Sequence, residues 1–340
     1  MSEPLLQIED LHVEFRTEEG TVHALNGVSL DIDHNEVVGL IGESGCGKSV
    51  TALSVLQLLQ MPPAEVTHGR ILFDGEDLLQ RSDSGMDEIR GNRISMIYQD
   101  PMKSLNPVLT IGKQVMEPLF AHRDVTAEEA REEAVEMLDA CGLADSERLV
   151  DEYPHELSGG MRQRVMIAMG LITRPDLLIA DEPTTALDVT TQAKILELMR
   201  DIQAEFDMAM LYISHNLAAV SELAERITVM YAGTVAERCT LGELFERPLH
   251  PYTRKLTESI PRVGRTQDRL PTIEGSVPSL ESPPSGCPFA SRCPNYIGPV
   301  CDGRVPELLG QGGGHEVACH LYDDAVEASP PWEGPHEARY

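Results

Sequence analysis

Lysine is nearly missing from this sequence, with five among 340 residues. Basic side chains total 27 against 56 acidic ones, a formal charge of −29. Such a chain has few cations with which to neutralise phosphates, which argues against stable nucleic-acid binding. The acidic residues are spread rather than blocked. That pattern suits a high-salt cytoplasm, where ions screen self-repulsion, and it is read as the mark of a halophilic source, with ordinary acidic drift as the alternative. Aromatic residues make up 4%, with Trp332 the single tryptophan. No apolar run approaches the ~20 residues that span a bilayer; Val165–Ile172 is among the longest. The opening MSEPLLQIED lacks a basic segment followed by an apolar one, so no secretory signal is expected. The protein is expected in the cytosol, reaching a membrane only through partners.

What is present suffices for a core. Hydrophobic residues make up 41%, and the length allows one large domain plus an extension, or two domains. Residues 5–15 and Val28–Ile32 read as strands. Glu36–Ile41 is a buried strand running into a Gly-rich loop, and Lys48–Leu59 reads as a helix halted at Met61-Pro62-Pro63. Arg70–Phe73, Leu177–Ala180, Met210–Ile213 and Ile227–Tyr231 are further strands. Residues from about 105 to 172 look mostly helical, with a capping box at Thr126 and Glu129 and a stop at Gly142. Strands and helices alternating around a helical insert predict an α/β fold with a mostly parallel sheet and a helical subdomain. Composition shifts near residue 240, and 261–340 is rich in Pro and Gly with no dominant periodicity. The expected domains are 1–240 and 241–340.

Three motifs carry chemistry. Gly42-Glu43-Ser44-Gly45-Cys46-Gly47-Lys48-Ser49 fits the phosphate-loop pattern between a strand and a helix. Its glycines let backbone N–H groups wrap phosphate, Lys48 reaches the β- and γ-phosphates, and Ser49 ligates Mg²⁺. Leu177–Glu182 is an apolar strand ending in two carboxylates. There Asp181 suits the metal and Glu182 suits a general base. Leu157-Ser158-Gly159-Gly160-Met161-Arg162-Gln163 opens a helix with a hydroxyl and bare N–H groups, a second anion site. Two anion sites and one set of carboxylates suggest two chains sharing two nucleotides. Seven cysteines are present; Cys287, Cys293, Cys301 and Cys319 cluster near the C-terminus. In a cytosolic protein four thiols within a loop can hold zinc or an iron–sulfur cluster, or stay free.

In this order and spacing the motifs resemble the ATP-binding cassette (ABC) family over roughly residues 4–240. The resemblance implies a P-loop NTPase (RecA-like) core with an antiparallel β portion, and it assigns further roles. Gln99 corresponds to the loop glutamine that touches Mg²⁺ and senses the transporter. Asp188, in Ala186-Leu187-Asp188, corresponds to the turn that communicates across the dimer. His215 corresponds to the histidine that contacts the γ-phosphate, and Phe15 either stacks on adenine or packs in the core. Val50 and Asn216 stand where Thr and Asp are common in the family. Gln99–Pro107 and Pro248-Leu249-His250-Pro251-Tyr252-Thr253 resemble oligopeptide/dipeptide importers, as does the Pro-rich, cysteine-bearing tail. Some of these place a [4Fe–4S] cluster in the tail, and related importers carry nickel. The resemblance therefore implies a Mg²⁺-dependent ATPase at the cytoplasmic face of the cell membrane. Its implied partners are a paralogous or identical ATPase, two permeases and, indirectly, a solute-binding protein. Soluble ABC ATPases of DNA repair or translation would carry coiled-coil or zinc inserts or a second cassette. Neither occurs here, and a kinase or GTPase has no use for Ser158–Gly160.

Overall fold

The computed structural model describes residues 3–98, 104–185, 187–259, 273–328 and 330–332. The named strands are β1 (Leu6–Arg16), β2 (Thr21–Ile32), β3 (Val37–Ile41), β4 (Ala64–Phe73), β5 (Glu76–Asp77), β6 (Ile94–Ile97), β7 (Leu177–Asp181), β8 (Ala209–Ser214), β9 (Arg226–Tyr231), β10 (Thr234–Thr240), β11 (Leu309–Gly310) and β12 (Glu316–Val317). The chain forms two compact units, one of Met1–Leu5, Ile32–Val37 and Phe73–Ile213, the other of Leu6–Asp31, Val38–Leu72 and Ser214–Tyr340.

In the first unit β6, β7 and β8 run parallel, with Ile97 opposite Ala180 and Asp181 opposite Ile213. β7 and β8 are buried throughout, as their continuous apolar runs require of strands covered on both faces. Helices Ile111–His122, Ala127–Ala140 and Gly159–Leu171 pack on one another. They bury Val115 and Leu119, Ala130, Ala134 and Leu138, and Val165, Ile167 and Leu171 at helical spacing.

In the second unit β3 runs parallel to β9, β9 antiparallel to β10, and β10 antiparallel to β12. A second, antiparallel-type layer has the order β2-β1-β4. The α/β class is as expected, and several element boundaries differ. The helix after the phosphate loop ends at Val55, not Leu59, because Gln57 takes φ 50° and the chain turns through Leu58 N–H to Leu53 O (2.9 Å). β2 begins at Thr21 rather than Val28, and β4 at Ala64 rather than Arg70. β5, β6, β10 and the short tail strands escaped the sequence. A bulge between Val235 and Glu237 breaks the alternation of β10, and the tail strands are two residues each. Among the described residues no helix is long and apolar enough to cross a membrane.

Candidate nucleotide site

β3 is buried along its length and delivers the chain into Gly42. A Cβ at Gly42 would stand 2.3 Å from the Met230 carbonyl oxygen. At Gly47, with φ +105°, it would stand 2.6 Å from Leu25 Cδ2. Both positions therefore require glycine, for space and, at Gly47, for backbone conformation. Gly47 is the N-cap of helix Lys48–Val55 and offers no side chain, so the first N–H groups are left for another acceptor. Lys48 is buried, and its ammonium donates to the carbonyls of Gly42 (2.8 Å) and Glu43 (3.1 Å). Ser44, Gly45 and Ser49 are exposed, Val50 half-buried. Burial pushes the Cys46 thiol up, against the pull of Lys48 3.8 Å away.

In the other unit Asp181 is buried at the end of β7. Glu182 follows with φ 48°; its N–H donates to Ile213 O (2.9 Å) and its carboxylate accepts from Thr185 Oγ1 (2.9 Å). A non-glycine residue in the left-handed region is uncommon, and here it stands where the chain leaves β7. Ser158 caps helix Gly159–Leu171 by accepting from Met161 N–H (3.3 Å). A Cβ at Gly159 would meet nothing within 4 Å, whereas one at Gly160 would stand 3.0 Å from Thr191 Cγ2. Thr191 in turn donates to Asp188 through its N–H (3.0 Å) and hydroxyl (2.7 Å). These bonds cap helix Val189–Phe206 and hold the Asp188 carboxyl below its usual range. The Ser158–Gly160 helix start and the Asp188 turn are thus neighbours. Gln163 is buried, and its Nε2 finds no hydrogen-bond partner among the described residues.

His215 is exposed just past β8, before the helix that Asn216 caps. Phe15 is half-buried on β1. Gln99 lies outside the described residues, as does Ala186. Of the residues singled out in the sequence, Gly42–Gly47 form one loop that runs into the helix carrying Lys48, Ser49 and Val50, and Ser158, Gly160 and Asp188 form one cluster.

The C-terminal residues add partners that no motif foretold. Tyr252 accepts the N–H of Glu43 (3.0 Å), and Arg292 grips the Glu43 carboxylate with both terminal nitrogens (2.7 and 3.1 Å). Tyr252 stood in a quoted motif without a role; Arg292 had only its place between two cysteines as a signal. The tail thiols Cys287, Cys293 and Cys301 line one cavity of about 600 Å³. Backbone N–H groups approach sulfur at Cys287 (from Phe289 and Ala290), Cys293 (from Asn295) and Cys319 (from Leu321), and Cys319 feels the charge of the other three. Burial pushes the thiol of Cys287 up to about 11 and that of Cys319 to about 12. Among the described residues the one set of donor atoms all within 4.8 Å of one another is Glu237, Cys239 and His315. It serves as a staple: Glu237 accepts from Leu249 N–H (2.7 Å), His250 N–H (2.8 Å) and His315 Nε2 (2.7 Å).

A strand-fed phosphate loop, a strand ending in Asp-Glu and a Ser-Gly-Gly helix start define an ATPase of the ABC class. The family described as ABC transporter matches residues 25–185, and the oligopeptide/dipeptide transporter C-terminal region matches residues 236–301. The chain belongs to the ATP-binding subunits of the oligopeptide/dipeptide ABC transporter family. It is 49% identical to the dipeptide transport ATP-binding protein DppD of Bacillus subtilis (strain 168), over 96% of this chain and 97% of that protein. It is 51% identical to the probable peptide ABC transporter ATP-binding protein y4tR of Sinorhizobium fredii, over 95% and 96%. Among solved structures it is similar to the ATP-binding cassette MJ0796 in a dimeric post-hydrolysis state bound to ADP and Pi. The TM-score is 0.62 at 30% identity, covering 69% of this chain and 98% of that one.

Proposed function

We propose that this chain is the ATP-hydrolysing motor of an importer for di- and oligopeptides, working as a head-to-tail dimer with an identical or paralogous ATPase. The observation that carries the reading is the Ser158-capped helix start, bare at Gly159, in a chain that also bears a complete phosphate loop. Each ATP would be bound by Gly42–Ser49 of one chain and Ser158–Gly160 of the other, since its γ-phosphate satisfies both anion sites. The peptide ABC relatives and the dimeric cassette bound to ADP and Pi support this assembly.

Within that site Lys48 would leave the carbonyls of Gly42 and Glu43 for the β- and γ-phosphates. Glu182 takes a proton from the attacking water as the β–γ bridging P–O bond breaks, and His215 holds the γ-phosphate. Gln163 and Asp188 support the partner half, and Phe15 faces adenine. Ser49, Gln99 and Asp181 offer the hard oxygen donors Mg²⁺ requires, and the ion would neutralise phosphate charge. Opening and closing of the dimer would drive two permeases at the cytoplasmic face of the membrane, fed by a solute-binding protein. Nickel or another small solute is the alternative cargo.

The tail cysteines are proposed as ligands of a [4Fe–4S] cluster. Their thiols converge, with N–H groups aimed at sulfur, yet lie outside the 4.8 Å grouping that a single tetrahedral ion would favour. Bound there, a cluster would cross-link the tail. Iron and sulfide assays on anaerobically purified protein test this; zinc, or four freely alkylated thiols, would count against it.

Glu182→Gln tests the motor. The variant is expected to bind ATP, accumulate as a closed dimer and lose at least about a hundredfold in turnover, the scale of one general base. Hydrolysis at the parent rate would remove Glu182 from that role.

A further inference from the structure

Every polar group of Glu43, the second residue of the phosphate loop, is engaged. Its N–H donates to the Tyr252 hydroxyl (3.0 Å). Its carbonyl accepts from Lys48 Nζ (3.1 Å) and from Cys46 N–H (3.3 Å). Its carboxylate is held by Arg292 in a two-pronged pair at 2.7 and 3.1 Å.

Arg292 is itself fixed. A guanidinium has five N–H donors, and here each has an acceptor. Nε donates to Glu274 O (3.0 Å), Nη1 to Glu43 and the Tyr231 hydroxyl (3.1 Å), and Nη2 to Glu43 and Ile273 O (3.1 Å). Its side chain is 5% exposed, and the pair with Glu43 holds its pKa above the ordinary value. Behind it Phe289 packs on Tyr231, His250 and Tyr252 at ring separations of 5.2, 5.7 and 5.5 Å. Arg292 precedes Cys293, in the one-turn helix Ala290–Arg292 after Cys287. The cysteine-bearing turn and the phosphate loop are therefore joined through one partly buried ion pair.

We infer that Arg292 is a positioning residue for nucleotide binding, acting through Glu43 to hold the phosphate loop in its binding shape. The inference rests on the reading of Gly42–Ser49 as the ATP loop. A bidentate pair fixes orientation as well as charge. Without it Glu43 keeps an uncompensated carboxylate beside the loop, and its carbonyl, one of the acceptors that orient Lys48, loses its anchor.

ATP binding by the purified full chain tests this, by calorimetry and by KM against kcat. Arg292→Ala is expected to weaken ATP binding about tenfold, with kcat at saturating ATP within roughly twofold of the parent. In a Glu43→Ala background, Arg292→Ala should add no further loss, because the arginine then has nothing to position. Parent-like affinity in Arg292→Ala, or full additivity of the two substitutions, overturns the inference. If Arg292→Ala does not fold, Glu43→Gln decides, with several-fold weaker binding for the inference and unchanged binding against it. Lys48→Ala separates the two levels. If it binds ATP like the parent, the loop reading itself falls; if it loses binding while Arg292→Ala does not, only the role of Arg292 falls.

Discussion

His250 shows how one residue ties chemistry to stability. It is buried, and its Nδ1 accepts the N–H of Tyr252 (3.0 Å), so the ring is held in the neutral form. Burial lowers its pKa from 6.5 to about 4, against the upward pull of Glu237. A histidine with a depressed folded pKa contributes stability that is present above the unfolded value. That stability is lost as pH falls from 6.5 towards 4, where the unfolded chain binds a proton and the folded one does not. Between pH 7 and pH 5 this amounts to about 2 kcal/mol. His250→Asn retains a side-chain acceptor at this cap without the titration. Denaturant unfolding at the two pH values should show a smaller loss in that variant. An equal loss in parent and variant would place the pH dependence elsewhere, on the carboxylates or on other histidines. His250 was visible in the sequence as part of a quoted motif, but its burial was not, because the neighbours that enclose it come from distant segments such as Phe289.

At the scale of elements, legibility followed local signals. Helix Ala127–Ala140 could be read at both ends. Thr126 and Glu129 cap each other's backbone, and Gly142, at φ +69°, turns the chain out through Leu143 N–H to Leu138 O (3.1 Å). Helix Lys48–Val55 ends by the same kind of turn, yet the left-handed position holds Gln57. Glutamine carries no such signal, so the sequence placed the end at the prolines beyond. β10 was missed for a related reason: Glu237, fully buried in mid-strand, reads as a surface residue until its partners from 249, 250 and 315 are in view. The phosphate loop and the Asp181–Glu182 strand end were legible because each is a short contiguous pattern, an apolar strand running into a Gly-rich loop or into two carboxylates, that does not depend on distant packing. The grip of Arg292 on Glu43 was not, being a contact 249 residues apart in sequence. The caps that were legible have a measurable worth. Thr126→Ala removes the acceptor for Glu129 N–H (3.3 Å) and the hydroxyl bonded to Glu129 (2.8 Å). It should cost about 1 kcal/mol in urea unfolding with an unchanged slope. A change below about 0.2 kcal/mol would mean the helix is held by packing alone.

The whole molecule carries a formal charge of −29, and this should govern how it responds to salt. Ion pairs are numerous, such as Arg123 with Glu133 (2.7 Å) and Arg131 with Asp151 (2.8 Å), but these are exposed or partly so. Exposed pairs contribute little and weaken in salt. With 56 acidic groups against 27 basic ones, about half the carboxylates have no cation to match, and their mutual repulsion opposes the compact state. The Debye length falls from about 10 Å at 0.1 M to about 3 Å at 1 M, which removes repulsion between neighbours on the surface and weakens partly buried pairs such as Glu43–Arg292 less. Raising KCl from 0.1 to 2 M should therefore raise the melting temperature by roughly 5–10 °C, the shift that follows from one to a few kcal/mol in a chain of this size. Potassium chloride is the appropriate salt because sulfate would stabilise most proteins by exclusion from their surface. The gain should shrink as pH falls towards 4.5, where the carboxylates begin to protonate and the repulsion fades. A melting temperature that stays flat or falls in KCl at neutral pH would mean that the pairs outweigh the repulsion, and would remove the physical basis for reading this acidic surface as an adaptation to high salt.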